Sequence, residues 1–165
     1  MPKKEQGLNK IDMSEIMEKI GLDMKKSTER ATSLKERILK HLKKIKAGSV
    51  TIIYEGSGDS GSVEEVRVFD KEGKQLELSE DPAILVELRH TRFSNGNWEN
   101  VTEEKEVDLE DALEELAYDA LAGHHPGWEI NEGSYGELNI NVKDGTATLQ
   151  HNTIIQETEY SETEL

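Results

Sequence analysis

Apolar residues in this chain recur every three or four positions up to about residue 46, and every second position from about residue 50. A helical period does not settle as a strand, nor a period of two as a helix. The change therefore divides the chain into a helical arm, residues 1–48, and a strand-rich domain, residues 49–165. Charge divides at the same place. Residues 1–50 carry thirteen Lys/Arg against seven Asp/Glu, and residues 51–165 carry seven against twenty-eight. A basic arm is thus joined to a strongly acidic body, an asymmetry that speaks to partners and solubility and not to a reaction.

Within the arm, the first ten residues are polar and expected to be mobile. Asp12 with Glu15 has the form of a capping box, opening a short helix with Met13, Ile16, Met17 and Ile20 on one face. Gly21 is placed to end it. A second helix is predicted over residues 27–46, with Ala31, Leu34, Ile38, Leu42 and Ile45 on one face and lysines on the others.

From residue 50 the pattern predicts strands over 50–55 and 63–70, with the segment GSGDSGS between them, and a short strand over 75–78. Segments 84–93 and 98–107 flank Asn95-Gly96, the strongest short-range hairpin signal. Asp108 then caps an amphipathic helix over 108–123, whose stripe is Leu109, Ala112, Leu113, Leu116, Ala117, Ala120 and Leu121; Gly123 supplies its stop. Strands over 137–142 and 146–151 meet at Lys143-Asp144-Gly145, and the tail from Thr153 is expected to add a last strand. The sum is an α+β fold. It has an antiparallel sheet of five to seven strands covered by one amphipathic helix, preceded by the arm.

Composition narrows the function class. With 34% of residues apolar and 33% charged, the core is modest for 165 residues. There is no cysteine, which excludes disulfides, thiolate metal sites and a cysteine nucleophile. No apolar run approaches the ~20 residues that span a bilayer, and the first residues lack a signal-peptide pattern. A cytoplasmic protein with no membrane association is the expectation.

Three segments invite chemistry. Residues 56–61 spell GxGxxG after a strand, but the dinucleotide motif needs a helix next, and the following SVEEVRVFD is strand-like and acidic. The GDSG within it looks like a serine-protease nucleophile segment, yet the only histidine upstream is His41, inside the basic helix. A turn whose glycines supply positive φ is the simpler reading. The segment HHPGWE, residues 124–129, is more unusual. His124, His125 and Glu129, with Asp59, Glu64 or His151 from elsewhere, are candidate ligands for a divalent metal, although adjacent histidines in extended structure point apart. The bland alternative caps the helix with imidazoles and anchors the turn with Trp128. The third segment is the acidic run Glu103, Glu104, Glu106, Asp108, Glu110, Asp111, Glu114 and Glu115. Such a run is either a solvated face or a docking surface for a basic partner, with carboxylates standing in for phosphates.

At YEGSGDSGSVEEV (54–66) and LEELAYDALAGHHPGWEINEGSYGELNINV (113–142), with His151-Asn152 after them, the chain resembles an uncharacterised family of small bacterial, phage and plasmid proteins. The resemblance spans most of residues 50–160 and leaves out the arm. It implies no activity and no catalytic residues. It implies only that the Gly-rich loop and the HHPGWE segment belong to one module.

These readings favour a small non-enzymatic interaction or regulatory protein without a cofactor. Its acidic body would dock on a basic protein surface, and a phage- or plasmid-linked inhibitor would fit the resemblance. The arm, residues 13–46, would pair two copies or carry any contact with nucleic acid. The alternative is a metal-dependent hydrolase or metal-binding module built on Asp59, His124, His125, Glu129 and His151.

Overall fold

Asp12 opens the first helix as its residue type requires: its carboxylate accepts from the Ser14 amide at 2.9 Å. In the computed structural model, which describes residues 12–165, helix α1 runs Met13–Lys44 without interruption. The stop expected at Gly21 does not occur. One interior glycine costs about 1 kcal/mol, less than ending a helix and nucleating another. The expectation for the first ten residues lies outside the described residues. At the other end, Lys46 takes a positive φ of 59° and turns the chain into strand β1, Ala47–Ser57.

Strand β1 pairs antiparallel with β2, Ser60–Asp70, on one side and with β5, Ser134–Asn141, on the other. Strand β6, Thr146–Thr153, adds to β5, giving a four-stranded sheet in the order β2-β1-β5-β6. The strands β3, Ile84–Ser94, and β4, Asn97–Val107, pair only with each other as a separate two-stranded ribbon. The expected single sheet of five to seven strands is therefore corrected to four plus two. The physical reason is polarity: past the base residues Ile84, Val86 and Val107, the ribbon is too charged to lie under a helix. The short strand expected at 75–78 reduces to one isolated bridge, Phe69 to Gln75. The tail forms no strand after Thr153.

Two helices, not one, cover the sheet. Helix α2, Leu109–His124, begins at Asp108, whose carboxylate accepts from the Asp111 amide at 2.8 Å. It buries Ala112, Leu113, Leu116 and Ala117 against Leu34, Ile38 and Leu42 of α1 and Val50, Ile52, Val68, Leu138 and Ile140 of the sheet. The helices run antiparallel and close. Arg30 pairs with Asp119 at 3.1 Å, and a Cβ on Gly123 would meet the Thr28 hydroxyl at 2.5 Å. Burial holds the Asp119 carboxyl above its ordinary range, with Arg30 opposing that shift. Because α2 ends at His124, residues 13–26 of α1 run on past it for about 20 Å. The opposite sheet face is polar, with Thr51 bonded to Asn139 at 2.9 Å. Among the described residues, no helix is long and apolar enough to cross a membrane.

Candidate docking hairpin and histidine corner

The Gly-rich turn and the 124–134 segment meet in one corner. Gly58 and Asp59 form the two-residue turn between β1 and β2, with φ of 56° and 70°, the backbone of a type I′ hairpin. Their amides donate outward, Asp59 to the Glu129 carbonyl at 3.0 Å and Gly58 to that of Asn131 at 3.3 Å. Gly56 and Gly61 are register partners, and the Trp128 indole lies on both. A Cβ would come within 2.7 Å of that ring at Gly56 and 2.2 Å at Gly61. The glycines of the GxGxxG pattern thus make room for a tryptophan, and a strand, not a helix, follows them. Tyr54 meets the indole edge-on at 5.6 Å, and Tyr118 stacks beyond it at 6.5 Å.

Beside the tryptophan lies a histidine pair. His125 donates its backbone N–H to Leu121 at 2.7 Å, ending α2, and its ring stacks on His151 at 3.8 Å with 13° between planes. Tyr54, Gly136 and His151 form one row across β1, β5 and β6. The Tyr54 hydroxyl donates to the Gln150 carbonyl at 3.0 Å and lies 2.7 Å from His151 Nδ1. A hydroxyl has one proton to give, so while that proton serves the Gln150 carbonyl, His151 Nδ1 can bond the tyrosine oxygen only as an N–H donor. Burial pushes the Tyr54 hydroxyl up to about 12. It holds both imidazoles below their ordinary value, helped by His124 beside His125 and by His125 beside His151. A cavity of about 270 Å³ adjoins the pair, lined by Ile130, Ser134 and Ile154 among others.

Of the five metal candidates, His125 and His151 come together. Parallel rings direct their ring-plane lone pairs side by side and not toward one point. Asp59 touches the segment only through its amide, and His124 is exposed at the end of α2. One carboxylate oxygen of Glu129 is buried without a hydrogen-bond partner among the described residues. No group of three or more His, Asp or Glu among the described residues is placed to hold a metal ion.

The eight acidic residues fall on two elements. Glu103, Glu104 and Glu106 are exposed on β4; Glu104 stands directly opposite Glu87, a like-charge pair that costs stability unless solvated. Asp108 is engaged in the α2 cap, and Glu110 and Asp111 occupy the first turn. Glu114 and Glu115 are half-buried, their carboxyls raised first by burial and then by neighbouring carboxylates. At the far end of the ribbon, Asn95 and Gly96 have φ of 51° and 81°, the expected type I′ turn. Next to it Phe93 and Trp98 face each other edge-on at 5.4 Å, 60% and 73% exposed. This aromatic pair is absent from the sequence reading. Counting outward from Asn-Gly, positions 94 and 97 flank the turn and 93 and 98 are the next cross-strand pair, so the register held the signal.

Comparison with curated proteins and with solved structures returns no match to this chain. A family model does match, over residues 31–165, beginning inside α1 and so extending upstream of the resemblance read from the sequence. The chain belongs to that family, a family of unknown function designated DUF6878.

Proposed function

We propose that this protein is a small docking module that binds a basic surface of a protein partner through the β3–β4 ribbon. The observation that carries the reading is the ribbon's end: Phe93 of β3 and Trp98 of β4 meet edge-on and lie open to solvent, and further along β4 Glu103, Glu104 and Glu106 are exposed. Exposed apolar groups rimmed by charge mark interaction sites. Tryptophan is enriched among the residues that dominate binding energy, whereas rim charges set approach rate and orientation. Trp98 with Phe93 is therefore the anchor and the carboxylates are the guide. The remaining acidic residues, on α2, continue the negative field toward the body. Such a module acts by occupying a basic surface that its partner uses for something else, which is the logic of an inhibitor or regulator.

The test begins with co-purification from the native host and identification of the bound protein. Binding of that protein should weaken steeply as ionic strength rises to physiological levels. Trp98→Ala should cost about 2 kcal/mol or more, roughly 30-fold in affinity, mainly through faster dissociation. E103Q/E104Q/E106Q should slow association and flatten the salt dependence. Salt-insensitive binding, or binding equal to wild type in both variants, overturns the reading.

A further inference from the structure

The stripe that closes α1 onto the core, Ser27, Ala31, Leu34, Ile38 and Leu42, continues upstream with the same spacing of three and four as Met24, Ile20, Met17 and Met13. Downstream it is covered by α2 and the sheet. Upstream Ile20, Met17 and Met13 are 41%, 64% and 68% exposed. Ile20 and Met24 face an open groove of about 1340 Å³ whose far wall is the β3–β4 ribbon, at Arg89 and Thr91, and whose floor includes Trp128 and Glu129. We infer that this groove is the docking site for the same segment of a second copy of the chain, the two α1 extensions lying antiparallel.

Three observations favour a second copy over other occupants. First, the spacing is that of a heptad seam, and it is continuous with a seam already used for helix packing in the core. Second, the segment's charge is self-complementary. Asp12, Glu15 and Glu18 lie at one end, and Lys19, Lys25 and Lys26 toward the other, with Asp23 the one exception. Antiparallel pairing sets acids against lysines and opposes the two helix dipoles, whereas parallel pairing stacks like on like. Third, the space between helix and ribbon is large and open to solvent, on the scale of a helix about 10 Å across. Glu129 contributes to the floor of that space. The contact is isologous, so it closes at a dimer and does not propagate.

Sedimentation equilibrium of the full chain should return a dimer. Ile20→Glu and Met17→Glu each alter an exposed position, so the dimer should be lost while the variants keep the helicity of wild type and melt like wild type diluted to its monomer. K25E/K26E should weaken the dimer, and adding E15K/E18K on the same chain should restore it. A wild-type chain that stays monomeric up to its solubility limit overturns the inference. So does a dimer that survives both glutamate substitutions, or a charge swap that fails to restore association.

Discussion

Gly61 and Gly56 meet across β1 and β2 with the Trp128 ring on both, so at this corner a side chain is specified by the absence of two others. Gly61→Ala is expected to displace the indole and cost about 1–3 kcal/mol. In a Trp98→Phe background Trp128 is the one remaining tryptophan, so its emission should shift to longer wavelength as the ring becomes wetter. The stacked imidazoles set a pH dependence of known sign. Burial lowers both below the ordinary 6.5, so the unfolded chain takes up protons first as pH falls. Their contribution is intact above about pH 6.5 and is lost as pH drops toward the folded values. Glu114, Glu115 and Asp119 act in the opposite direction, since their raised carboxyls gain protons in the folded state first. His125→Phe keeps a ring on His151 while removing one titration. Between about pH 7.5 and about pH 5.5, urea melts should show a smaller loss of stability for the variant than for wild type.

The β3–β4 ribbon stands largely outside the core, and its register depends on two residues with positive φ. N95A/G96A forces side chains into left-handed backbone, at roughly 1–2 kcal/mol for each. Amide exchange should then speed up over the outer ribbon, residues 89–102, while β1 and β5 keep their protection. Elements of this kind were legible in the sequence. The Asn-Gly turn, the α2 stripe with its Asp108 cap, and the β5–β6 hairpin are all local signals, and each stands where its pattern put it. What was not legible was long-range. Nothing in a period of two says which strands share a sheet, and the ribbon separates because its charged residues refuse burial. Gly21 carried a stop signal that its neighbours outvoted. The glycines at 56 and 61 read as conformational freedom because the residue they accommodate, Trp128, lies some seventy positions away. The corner itself was foreshadowed only by the resemblance that set its two segments in one module.

Across the whole molecule, α1 binds its two stretches to different tasks. Leu34, Ile38 and Leu42 share one core cluster with the sheet and α2, and the family match begins just upstream of them, at residue 31. Ile38→Ala should therefore cost about 2–5 kcal/mol and lower the denaturant midpoint of helix and sheet signals together, in a single transition. A helix folding apart from the domain would instead give two transitions. The four-stranded sheet carries one more consequence. Its edge strand β6 reads TATLQHNT, with no charged residue along an edge that no other strand among the described residues covers. Bare edges of that kind template pairing between molecules. Directly after it the chain places Glu157, Glu159, Glu162 and Glu164. Charge close to an unpaired edge is one way natural sheets discourage such pairing, so on that account replacing these four glutamates with glutamine should promote self-association through β6.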